Sequence, residues 1–259
     1  MRKLNSLITA LVLSTTAVVI SAGGCATTEG DDVSDADSNS TAAGKFDLWQ
    51  ANDGWHFHLT SGNGAILLTS EAYTSRTGAI NGVLSVENNG VDNAQYQLVQ
   101  AKNGGYLLHL VAGNNETISF SQVYSTKSNA TRAIASCVKA VTTYLDKAEA
   151  NTTGARAQIE AGATNQFRFN IYSSNGQIVL SSESYTTEAA AWNGAFAVQD
   201  AASTDANFAV KTANDGRFYF TLTADNGQVV GVSQMYSTKA SAQSGITSVK
   251  STLAKLDII

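Results

Sequence analysis

Four times along the chain, apolar side chains fall on every second position: Trp55, Phe57, Leu59; Tyr106, Leu108, Leu110; Phe167, Phe169, Ile171; Phe218, Phe220, Leu222. Period-two alternation marks a strand with one face buried. An earlier strand precedes the first run, Phe46-Asp47-Leu48-Trp49, joined to it by the turn Asn52-Asp53-Gly54. Each run leads into a turn, Asn63-Gly64, Asn114-Asn115, Asn175-Gly176 or Asn226-Gly227. Asn-Gly supplies positive φ and predicts tight type I′ hairpins. The strands predicted to follow are apolar without alternation, Ile66-Leu67-Leu68, Ile178-Val179-Leu180 and Val229-Val230. The period then changes to 3.6. Ala79, Gly82, Val83 and Val86 lie on one helix face, as do Ala130, Ala133, Ile134, Cys137, then Ala191, Gly194, Ala195, Val198, then Ala242, Gly245, Ile246, Val249. Ser and Thr before each helix offer N-cap oxygens.

The elements recur in register. Tyr73, Tyr124, Tyr185 and Tyr236 each follow the turn Asn by ten residues and are spaced by 51, 61 and 51. The first and third repeats share Ser-Glu-x-Tyr-Thr and a helix Asn-Gly, Asn81-Gly82 and Asn193-Gly194. The second and fourth share Ser-Gln-x-Tyr-Ser-Thr-Lys, Ser121 to Lys127 and Ser233 to Lys239. A pair was therefore duplicated after its halves had diverged. One repeat of about 50 residues is too small for a good core, so the pair is the expected folding unit. This places a first domain at residues 45–145 (repeats 45–91 and 94–145), a connector or helix extension at 146–155, and a second domain at 156–259 (repeats 156–203 and 206–255).

Residues before 45 follow another logic. Arg2 and Lys3 precede an apolar run from Leu7 to Ile20, 14 residues long. At about 1.5 Å per residue this is too short to span a bilayer as a helix, and the layout predicts a secretory signal over 1–24. Ser21-Ala22-Gly23-Gly24-Cys25 resembles the bacterial lipobox, which implies lipidation at Cys25, with palmitate among the acyl chains expected, and a mature chain held on a membrane. Ala26, in place of Asp, implies the outer membrane or cell surface. Residues 25–44 carry Glu29, Asp31, Asp32, Asp35 and Asp37 and one aliphatic larger than alanine, Val33, so an acidic, flexible tether is expected. The whole chain carries a net charge of -5, all of it matched by those five acids. The repeat region is close to neutral, which excludes an electrostatic nucleic-acid binder.

Phe57-His58-Leu59, Gly62-Asn63-Gly64, Ile66 through Ser70-Glu71-x-Tyr73 and Ala79-x-Asn81-Gly82-x-x-Ser85-Val86 together resemble the YegP-like tandem-repeat family, a bacterial domain of unknown function. Phe169, Asn175-Gly176-Gln177, Ser182-Glu183-x-Tyr185, Asn193-Gly194 and Asn226-Gly227-Gln228 extend the likeness through the third and fourth repeats. The resemblance implies an α+β fold with helices on one face of an antiparallel sheet. Each domain is then built from two β3-α(-β) repeats with strand exchange between them. It implies no catalytic residues and no cofactor.

Candidate chemistry is sparse. His56 and His58 share a strand face, and His109 matches His58 in the next repeat, so the three are the candidate metal ligands. Glu71-x-Tyr73 and Glu183-x-Tyr185 invite an acid/base reading. The tyrosine recurs beside Gln122 and Gln234, however, which favours a structural corner. Cys137 fills the slot of Val86, Val198 and Val249, and is expected to pack as a small hydrophobe. The primary reading is a non-enzymatic, membrane-anchored module that binds an envelope protein or glycan. A metal-binding or enzymatic protein using His56, His58 and His109, and a purely structural envelope protein, are the alternatives.

Overall fold

Each alternating run is the middle strand of a three-stranded meander in the structure, a computed structural model describing residues 42–162 and 164–256. The predicted signal, Cys25 and most of the acidic tether lie outside the described residues. The chain divides into two compact units between Lys147 and Ala148.

In the first unit, β1 (Lys45–Ala51), β2 (Gly54–Thr60) and β3 (Ile66–Ser70) lead into α1 (Arg76–Asn89). The pattern repeats as β4 (Tyr96–Gln100), β5 (Tyr106–Val111), β6 (Thr117–Phe120) and α2 (Lys127–Ala150). The second unit runs β7 (Arg156–Ala161), β8 (Phe167–Tyr172), β9 (Ile178–Ser181), α3 (Glu188–Ala202), then β10 (Phe208–Thr212), β11 (Phe218–Thr223), β12 (Val229–Val232), α4 (Lys239–Leu253). The extra residues of the middle spacing prolong α2 to Ala150.

Each unit holds one six-stranded antiparallel sheet, ordered β1-β2-β3-β6-β5-β4 and β10-β11-β12-β9-β8-β7. The two meanders stand side by side, so the expected strand exchange is replaced by direct pairing. The seam is short: Thr69↔Phe120 and Ser70↔Ser119 in the first sheet, Val232↔Ser181 in the second. The helices carry the rest of the union, because α1 packs on β1 and β2 of its own repeat and on β5 and β6 of the next. A single repeat would leave half of that helix face in water, the physical reason that the pair is the unit.

Phe46, Leu59, Leu68, Leu108 and Leu110 are fully or almost fully buried beneath the helices, as are Phe169, Ile171, Leu180, Phe220 and Leu222 in the second unit. A register shift opposite Leu67, Ile118, Val179 and Val230 makes a β-bulge in all four third strands. A bulge sets two successive side chains toward one face. Both Leu67 and Leu68 are therefore buried, and both Val179 and Leu180. This explains why the third strands lack alternation.

The turns differ from expectation. At Asn63-Gly64 only the glycine has positive φ, +86°, and Gly64 N–H donates to Ser61 C=O while Ser61 N–H donates to Ala65 C=O. That is a three-residue loop, a type I turn closed by a left-handed residue, rather than type I′. Asparagine is needed for its side chain: Asn63 Oδ1 accepts from Ser61 Oγ at 2.5 Å and from Ala65 N–H at 3.1 Å. Asn175 Oδ1 does the same with Ser173 Oγ and Gln177 N–H. Asn115 takes the left-handed position in the second repeat, φ +65°. The second hydroxyl of each Ser/Thr pair caps its helix; Ser75 Oγ accepts from Gly78 N–H and Thr187 Oγ1 from Ala190 N–H, both at 3.1 Å.

Candidate functional site

The four tyrosines occupy one repeated corner. Tyr73 exchanges backbone hydrogen bonds with Trp55 at 2.8 Å each way, and Tyr124, Tyr185 and Tyr236 exchange them with Tyr106, Phe167 and Phe218 at 2.8 and 2.6 Å. Their rings reach back toward the helix. Phe57–Tyr73, Phe169–Tyr185 and Phe220–Tyr236 stack at centroid separations of 6.1, 6.2 and 6.1 Å. The hydroxyls end where Gly82, Gly194 and Gly245 leave room in the helix. The second repeat has Leu108 in place of the Phe and Ala133 in place of the Gly, and Tyr124 is buried. Burial pushes the Tyr73, Tyr124 and Tyr185 phenols up, and nearby Glu71 and Glu183 add to this at Tyr73 and Tyr185. These groups stay protonated and serve as packing.

A serine three residues before each tyrosine completes the corner. Ser70 Oγ accepts from Phe57 N–H at 2.9 Å and donates to Glu71 C=O at 2.8 Å. Ser121, Ser182 and Ser233 repeat the arrangement with Leu108, Phe169 and Phe220. The hydroxyl stands in for a ladder carbonyl where the chain leaves the sheet. Its recurrence in every copy is the signal in the sequence, and residue type alone does not disclose the role.

The histidines do not converge. Asp47, His58, Thr69, Phe120, His109 and Gln97 form one row across the sheet face opposite the helices. His58 and His109 are three strands apart, about 14 Å at ~4.8 Å per strand. His56 and His58 instead flank Trp49, at ring separations of 5.4 and 4.2 Å, and His56 Nε2 lies 3.0 Å from Asp53 Oδ1. No group of three or more His, Cys, Asp or Glu among the described residues is arranged to hold a metal ion. Cys137 is fully buried on α2.

Burial pushes the His58 imidazole below its ordinary value of 6.5; the Asp47 carboxylate opposes this and His56 reinforces it. With a depressed folded-state value, the unfolded chain takes up the proton first. The first unit is therefore expected to lose stability as pH falls from about 6.5 toward the folded-state value. Thermal unfolding of wild type and His58→Gln across pH 5 to 8 tests this, and the variant should show the shallower pH dependence.

The motif residues that packing does not consume meet in one place. A cleft of ≈ 300 Å³ in the first unit is lined by Glu71, Tyr73, Asn81 and Ser85 of the first repeat and by Glu116 and Thr117 of the second. Glu71, Asn81, Glu116 and Thr117 are exposed. Glu116 Oε2 accepts from Asn114 Nδ2 at 3.0 Å. The cleft presents carboxylates, an amide and hydroxyls, chemistry suited to holding a polar partner by hydrogen bonds. Ser85 Oγ accepts from Asn89 Nδ2 at 3.4 Å.

A family model described as "Domain of unknown function (DUF1508)" matches residues 50–97, 101–144, 163–208 and 213–258. The chain is 43% identical over 96 residues to the UPF0339 protein PA0329 of Pseudomonas aeruginosa, spanning 37% of this chain and 87% of that protein. It is 48% identical over 86 residues to a UPF0339 protein of Bordetella pertussis (33% and 78%) and 41% identical over 93 residues to UPF0339 protein YegP of Escherichia coli K12 (36% and 84%). The solution NMR structure of yegP from E. coli, a protein of unknown function, aligns with 38% identity and a TM-score of 0.37, over 39% of this chain and 88% of that one.

Proposed function

We propose that this chain, which belongs to the DUF1508 family through all four of its repeats, is a non-enzymatic, membrane-anchored envelope lipoprotein that binds a protein or glycan partner. The anchor in this reading is lipidated Cys25 behind a signal peptide, with the acidic tether spacing two repeat pairs from an outer membrane. Support for binding comes from one observation. Glu71 and Asn81 distinguish the first repeat from the second, line a shared cleft, and are exposed, so packing does not require them. Support for the anchor is the sequence around Cys25, and no helix among the described residues is long and apolar enough to cross a membrane.

Two measurements test the halves of this reading. In cell fractionation, wild type is expected with membranes and Cys25→Ser in the soluble fraction; a Cys25→Ser protein that still pellets overturns the anchor. Purified wild type and a Glu71→Gln, Asn81→Ala double variant are then compared for capture of solubilised envelope material. Equal capture by a folded variant overturns the cleft as the binding site.

A further inference from the structure

One position in the third strand differs between the two kinds of repeat and lies where they join. Leu68, Ser119, Leu180 and Gly231 are the same residue of the pattern, 51 apart within each unit and 112 apart between units. Each pairs with the matching residue of the second strand, Leu59, Leu110, Ile171 or Leu222. All four are buried. The first and third repeats carry leucine there, and the second and fourth carry serine or glycine.

The cause lies at the seam. β3 and β6 are neighbours in one sheet, as β9 and β12 are in the other, so the same position of two repeats comes together from opposite sides. In the second unit a Cβ at Gly231 would overlap Leu180 Cδ2 and come within 2.7 Å of Leu180 Cγ. The leucine of one repeat therefore occupies the space of a side chain that its partner lacks. Two leucines would claim one volume, and a protein interior is packed too densely to hold both. Two small residues would leave a void and forfeit the contacts of a leucine side chain. Ser119 supports the same reading independently. It is 0% exposed, and its Oγ makes no hydrogen bond to any described residue. A buried hydroxyl without a partner is destabilising, so small size, and not polarity, is what recommends serine beside Leu68.

We propose that this position makes the seam a heterotypic docking surface: a repeat with leucine accepts only a partner repeat with glycine or serine at the same place. Repeats of like kind, in one chain or in two copies of it, then cannot join through their third strands, and the alternating order of the four repeats is a steric requirement. The proposal concerns the join between repeats and stands or falls separately from the cleft described above. Differential scanning calorimetry of the whole chain tests it, with the unaltered unit as internal control. Gly231→Leu and Leu180→Gly are each expected to lower the melting temperature of the second unit by at least about 4 °C. Leu180→Gly combined with Gly231→Leu returns a single leucine to the seam and should recover at least roughly half of the summed loss. Additive shifts in the double variant would overturn the proposal, as would a Gly231→Leu chain that melts at or above wild type. In the first unit, Ser119→Leu should lower the melting temperature, and an unchanged one counts against the proposal equally. Ser119→Ala removes only an unpaired hydroxyl and should melt at or above wild type. A lowered value would show that serine is kept for a hydrogen bond, and the argument from size would fall.

Discussion

Val198→Asp is expected to leave the second unit unfolded at room temperature. Val198 is 0% exposed on the face of α3 that packs against the sheet. On a helix that also buries Ala191, Trp192 and Ala195, an aspartate there would either ionise without a partner or protonate at a cost. Either route takes several kcal/mol, to which the lost packing of the isopropyl group adds. Domains of this size hold about 5–15 kcal/mol in all. Differential scanning calorimetry should show the transition of the first unit retained and that of the second lost, with matching loss of amide protection over 156–256. Two intact transitions would mean that the face of α3 assigned to the core is wrong.

Gly194→Ala carries the second largest expected effect, and its partner substitution makes it more informative. A Cβ at Gly194 would overlap the Tyr185 hydroxyl and come within 3.0 Å of Phe169 Cε1. Overpacking of this kind costs about 1–3 kcal/mol, and alanine's better helix propensity recovers at most about 1. The second repeat already contains the compensated arrangement, Leu108 with Ala133. Phe169→Leu alone should leave a void and cost about 1–2 kcal/mol. The double variant should be more stable than the sum of its parts by at least about 1 kcal/mol, the signature of two side chains sharing one space. Urea denaturation of the four proteins closes the cycle. Strict additivity would show that helix and strand do not meet at this point.

The sequence is most legible where periodicity alone decides the outcome. Alternation assigns Phe57, Phe169 and Phe220 to the core, and helical spacing assigns Gly82, Gly194 and Gly245 to the sheet-facing stripe; the structure buries them there. Leu67 and Val179 are harder. A continuous apolar triplet does not say which residue is extra, and the bulge appears only once the partner strand is in place. Ser70 and its three equivalents are visible as a motif, but a hydroxyl replacing a carbonyl in a ladder depends on where the chain turns away. Alternation also sets His58 and His109 on one face, yet it does not bring them together. Their separation depends on strand order, and β3 and β6 stand between them. The cleft is illegible for a similar reason. Asn81 and Glu116 line one cleft only because two repeats pack together.

The narrowness of the junction between paired meanders has an evolutionary consequence. Two matched positions in one sheet and one in the other suffice to set the halves in register. Most strand residues were thus released from any obligation to their opposite number. Copies of one ancestral segment could drift apart, one keeping Glu71 and Asn81 while its neighbour kept neither, with no penalty at the join. An economical weld of this kind lets a gene grow by doubling and still leaves each copy free to specialise.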